Sequence, residues 1–218
     1  MFLKIKDIPK LSWSSEKPTN LKPSGKTLFF LCLGLTMFGF GEGLLLVSGI
    51  GASPWNVLHQ GIAINLGTSV GTIAFLLSFV VLIFWYFLDQ KIGMGTLINF
   101  IIIAIMIDAT MYYFEKPDQF IFQLLEVVAG ILIIGAGTGI YLIANLGAGP
   151  RDGLMTGLQK KTGYPIAWIR TCLEVTVVTI GWFLGGTAGL GTLIFALGIG
   201  PSLAFFLFLI HKTAGQSQ

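Results

Sequence analysis

Gly147-Ala-Gly-Pro-Arg-Asp-Gly153 has a near-copy 96 residues earlier, Gly51-Ala-Ser-Pro-Trp-Asn-Val57. The same offset, with no gap, pairs Gly34 with Gly130, and Gly39, Gly41 and Gly43 with Gly135, Gly137 and Gly139. It also pairs Gly61 with Gly157 and Gly67 with Gly163, and Gly93-Met-Gly-Thr-Leu-Ile98 recurs as Gly189-Leu-Gly-Thr-Leu-Ile194. Nine glycine pairs and the pair Pro54/Pro150 thus share one spacing, which takes in 18 of the 29 glycines. Chance gives two or three such matches, not this series. The chain is a tandem duplication, and such a repeat governs the reading of the fold.

Composition sets the solvent. Hydrophobic residues make up 54%, charged residues 11%, and the mean hydropathy is +0.84. Several apolar runs reach the roughly 20 residues needed to cross about 30 Å of hydrocarbon. Six spans are read near 27–47, 69–88, 96–114, 120–145, 165–185 and 192–211. Between the first two lies Pro54–Leu66, and between the fourth and fifth lies Pro150–Thr162. Both are too short to span. Each has proline at a helical first position, Ser53 or Gly149 before it, and Gly67 or Gly163 after its end.

Each repeat is therefore span, short helix, span, span. Three crossings is an odd number, so the second repeat should enter the membrane upside down relative to the first. With the N-terminus inside, six tail lysines join Lys91, Arg151, Lys160, Lys161 and Lys212 on the cytosolic side. Lys116 alone falls outside and Arg170 lies within a span, a distribution that follows the positive-inside rule. The expected architecture is an all-α membrane protein. It has about six transmembrane helices as two inverted three-span repeats, each with a short re-entrant or interfacial helix. The divisions are a basic cytosolic tail (1–26), a first membrane repeat (27–114), a second (120–211) and a cytosolic C-terminal tail (212–218). The first tail reads as partly disordered, or else Met1 to Trp13 lies on anionic headgroups.

Ionisable groups inside spans are candidates for function. They are Glu42, Asp108, Glu126, Arg170 and Glu174. Arg170 and Glu174 are four apart on one helix face and can pair. They either neutralise each other or line a cavity in which Arg170 draws an anionic group and Glu174 exchanges a proton or cation. Glu42 sits in Gly39-Phe-Gly-Glu-Gly43, where glycines at spacing four favour close helix packing and glycines at spacing two could loosen the helix around an ion. Glu42 and Glu174 are the candidates for proton or ion coupling. Asp108 and Glu126 read as ordinary carboxylates near helix ends.

The strongest candidates are the short helices, because a helix N-terminus offers free N–H groups and a partial positive charge. Two such termini, at Pro54 and Pro150 with Gly51 and Gly147 in the turns before them, could meet a substrate between the repeats. Trp55, Asn56 and His59 line one; Arg151 and Asp152 line the other. An interfacial plug built on a glycine turn is the equally weighted alternative. No zinc-protease, nucleophile-elbow or phosphate-loop pattern occurs. No enzymatic activity, metal or cofactor is expected. The charge, concentrated in the tail, does not suggest a nucleic-acid partner. Cys32 and Cys172 lie in apolar runs without metal or redox spacing.

Three motifs in order, Gly-Ala-Ser-Pro-Trp-Asn-Val-Leu-His-Gln-Gly (51–61), Gly-Pro-Arg-Asp-Gly-Leu-Met-Thr-Gly (149–157) and Arg-Thr-Cys-Leu-Glu-Val-Thr (170–176), resemble the YczE type of bacterial membrane protein. That group is itself similar to the wider YitT-like families. The resemblance covers about 27–211 and implies a bacterial inner-membrane protein of five or six spans. The leading functional expectation is a small secondary transporter or permease for a small anionic or zwitterionic metabolite. The alternative is a non-transporting accessory or scaffold protein acting on a membrane partner. The lipid bilayer is the one certain partner, and the glycine stripes leave room for a homo-oligomer.

Overall fold

The computed structural model describes residues 10–214, with side chains as far as residue 212. The expectation for Met1 to Trp13 falls mostly outside these residues. Every regular element described is a helix: α1 (Gly25–Ser48), α2 (Pro54–Leu66), α3 (Val70–Phe87), α4 (Met94–Tyr113), α5 (Phe120–Ala144), α6 (Pro150–Thr162), α7 (Ile166–Phe183) and α8 (Leu190–Ala214). Six of them, all but α2 and α6, are long and apolar enough to cross a membrane. The protein is an all-α membrane protein. Helix starts and ends in the two halves keep the 96-residue offset almost throughout: α2 and α6 both begin on proline and both stop before a left-handed glycine, Gly67 or Gly163. Glycine there carries no Cβ penalty, so the stop is built into the sequence.

The glycine stripes are packing surfaces. A Cβ on Gly34 would strike the backbone at Gly137, and one on Gly41 would strike Gly130, so α1 and α5 cross closely and run antiparallel. Gly39 and Gly43 face Met106 and Thr110 of α4 in the same direction of travel, and Gly135 faces Ser202 of α8 in the equivalent way. Without water to drive association, such backbone approach is what holds membrane helices together. Helix α1 runs unbroken through Glu42, so the glycines around it serve packing.

The halves are also interlocked. Gly95 N donates to Leu146 O at 2.8 Å, and its counterpart Gly191 N donates to Ile50 O at 2.9 Å. Thr96 Oγ1 donates to Ala148 O, and Thr192 Oγ1 to Ala52 O, both at 2.8 Å. Each repeat's loop before its short helix is thus held by the start of the other repeat's last span. Gly51 (φ 135°) and Gly147 (φ 118°) occupy these loops, where any side chain would collide with Thr192 or Thr96. The repeat motif is conserved between the halves because it is the point at which each grips the other.

The described part of the N-terminal segment is not a free tail. Ser15 N donates to Ala144 O, Asn145 Nδ2 donates to Ser15 O, and Trp13 stacks on Phe30 at 4.4 Å. This strap closes the end of α5, whose last carbonyls would otherwise lack partners.

Candidate functional site

The short helices α2 and α6 bring their N-termini to one cavity of about 240 Å³ between the repeats. Its wall is drawn from both halves position by position. Pro54 faces Pro150, Trp55 is matched by Arg151, Glu42 by Thr138, Ala74 by Arg170 and Ser78 by Glu174. The duplication made the frame, and substitution on each side then made a chemically asymmetric chamber.

Its most buried feature is Glu42, 1% exposed. Ser53 Oγ donates to Glu42 Oε2 at 2.5 Å and Asn56 Nδ2 donates to the same oxygen at 2.8 Å. Ser53 and Asn56 are the cap and third residue of α2, so Glu42 is the anion at that helix N-terminus. Its other oxygen, Oε1, lies 3.8 Å from Arg151 Nη1. Behind the carboxylate, Asn56 Oδ1 meets His59 Nδ1 at 2.8 Å. Burial, reinforced by the Arg151 charge, holds the His59 imidazole well below its ordinary pKa, so it is neutral.

The α6 terminus differs. The residue equivalent to Glu42 is Thr138, so no carboxylate of α5 fills that end. Arg151 instead spreads its guanidinium over Trp55, 5.3 Å from the ring centroid. Asp152 Oδ2 accepts from Tyr141 Oη at 2.9 Å. Burial raises the Asp152 carboxyl above its usual range, opposed by that hydrogen bond and by Arg151. The Trp55 indole N–H is buried with no acceptor among the described residues.

Of the sequence-derived candidates, Glu42, Trp55, Arg151, Asp152, Arg170 and Glu174 line this one cavity. Arg170 Nε donates to Glu174 Oε1 at 2.8 Å at its more open side. Asn56 and His59 do not line it; they stand behind Glu42 as its support. Gly51 and Gly147 shape the interlocking loops and touch no ligand space. Asp108 and Glu126 are elsewhere: Asp108 caps α3 through Ser69 and Gly71. Tyr141 and Asn99 line the cavity and were passed over. A search for ionisable residues alone omits neutral polar side chains inside spans, which were the available signal for both.

Residues 25–207 match the model of a family of unknown function, DUF6198. A protein of Haemophilus influenzae described as uncharacterized is 40% identical over 96% of this chain and 95% of its own length. The uncharacterized membrane protein YczE of Bacillus subtilis is 31% identical over 82% of this chain and 84% of its own. The uncharacterized protein YyaS of the same organism is 27% identical over 83% and 92%. No solved structure matches. The chain belongs to the DUF6198 family of YczE-like membrane proteins.

Proposed function

We propose that the protein is a small secondary transporter whose substrate site is the cavity between the two short-helix N-termini. In this reading the repeats cross a bacterial inner membrane in opposite senses, both chain ends are cytosolic, and α2 and α6 are re-entrant. The antiparallel packing of α1 on α5 and the placement of lysines and arginines support that orientation.

The observation that carries the proposal is the convergence of both half-helix termini and two guanidiniums, Arg151 and Arg170, on a single cavity. At about 240 Å³ it is smaller than the roughly 300–1,000 Å³ of ordinary ligand pockets, which limits the cargo to a small metabolite. Arg151 and the α6 terminus, unfilled by any α5 carboxylate, suit one anionic group of an anionic or zwitterionic substrate. The Trp55 N–H offers one further donor.

The test is a ligand-induced thermal-shift screen of purified protein against small anions and zwitterions, run beside Arg151→Ala and Arg170→Ala. A ligand at a hundredfold excess over Kd raises stability by about 2.7 kcal/mol. A shift in wild type that the variants lose supports the site. No shift from any compound, in protein shown to be folded, transfers the reading to an accessory role on a membrane partner.

A further inference from the structure

The cavity wall carries three carboxylates, Glu42, Asp152 and Glu174, against two guanidiniums, Arg151 and Arg170. With all five ionised it holds one surplus negative charge, and entry of a monoanion would make two. Uncompensated like charge in a desolvated chamber is expensive, so an anion needs a companion positive charge.

The geometry points to a proton, seated on Glu42 Oε1 and taken up as a monoanionic ligand binds. This rests on the reading of the cavity as an anion site. Both neutral donors, Ser53 and Asn56, go to Oε2. A proton on Oε1 therefore leaves both hydrogen bonds intact. Its one cost is the Arg151 ion pair, held at 3.8 Å, longer than a hydrogen bond. The exchange balances: a hydronium ion of the medium gives its proton to Oε1 and is left as water, Glu42 becomes neutral, and Arg151 passes from Glu42 to the ligand's anionic group. A metal cation is a poor alternative, since Arg151 faces the same oxygen.

The other charged or titratable groups around Glu42 have settled partners. Asp152 takes Tyr141 Oη from α5, Glu174 takes Arg170 on α7, His59 on α2 binds Asn56, and Asp108 on α4 binds α3. Of the three wall carboxylates, Glu42 is the one ion-paired with Arg151, the guanidinium at the α6 terminus.

Formate, acetate and propionate serve as probes, bound to the purified full-length protein between pH 5 and 8 and followed by calorimetry. Wild type should lose affinity about tenfold per pH unit above the midpoint, with one proton taken up per anion bound. Glu42→Gln, which mimics the protonated form, should bind with no pH slope and no proton uptake, while Asp152→Asn and Glu174→Gln keep the slope. Should Glu42→Gln fail to fold, Ser53→Ala removes one donor to the carboxylate and should move the midpoint to higher pH. A slope that survives in Glu42→Gln, or an unmoved midpoint in Ser53→Ala, overturns the proposal while leaving the anion site standing. No binding by wild type or variants at any pH overturns the anion site itself, and the proton with it.

Discussion

Helices α3 and α4 are latched together, and their counterparts α7 and α8 are not. At the start of α3, Asp108 of α4 accepts from Ser69 Oγ at 2.6 Å and from Gly71 N at 2.7 Å. Gly71 lies so close to Ala104 O that no Cβ would fit. The equivalent positions in the second repeat are Pro165, Ala167 and Ala204. Hydroxyl, carboxylate and glycine are all missing, and α7 and α8 show no packing comparable to that of α3 on α4. The same unit therefore exists once closed and once open. Both helices of the open pair line the cavity, through Arg170 and Glu174 on one and Phe195 and Ile199 on the other. Such asymmetry between two related halves fits the transporter proposed above, in which one repeat would move against the other.

The largest effect expected from this contrast is at Trp85, which is 1% exposed, packs on Gly153 and donates from Nε1 to Pro150 O at 2.9 Å. Trp85→Ala should cost about 3–5 kcal/mol of stability in chemical unfolding. Trp182→Ala, on the open helix and 58% exposed, should stay within about 0.5 kcal/mol. Equal losses would contradict the seating of Trp85 between α3 and α6. Next, Asp108→Ala should cost about 1–2 kcal/mol, because it removes two hydrogen bonds to a partly exposed carboxylate. Grafting the latch with Pro165→Ser, Ala167→Gly and Ala204→Asp should then draw α7 toward α8. Spin labels at Trp168 and Phe205 would report a shorter distance in the graft than in wild type. An unchanged distance means that the latch does not decide the gap. The smallest effect is at the Arg170–Glu174 pair. Arg170 is 49% exposed, so Arg170→Ala should change stability by no more than about 0.5 kcal/mol even where it abolishes ligand binding.

Much of this frame was legible in the chain. Helix bounds follow the glycines, prolines and apolar runs, because backbone conformation at Pro54, Gly67 and their copies is a local matter. The gathering of Trp55, Arg151, Asp152, Arg170 and Glu174 also follows from treating half-helix ends and span charges together. Less legible was the division of labour. Asn56 and His59 sit on the same short helix as Trp55, but helical rotation turns them behind Glu42 and away from the cavity. That Glu42 would occupy the α2 terminus depends on an approach of α1 to α2 that no spacing encodes. The latch was invisible for a similar reason. Asp108 read as an ordinary helix-end carboxylate until α3 was placed beside it.

The proposed transporter depends on the two repeats being one unit seen from opposite sides of the membrane. Single cysteines at Thr68, in the link after α2, and at Lys160, near the end of α6, would be probed with a membrane-impermeant maleimide in intact cells and in inverted vesicles. The account predicts that Thr68→Cys reacts from outside alone and Lys160→Cys from the cytosolic side alone. Reaction of both positions from the same side would contradict it.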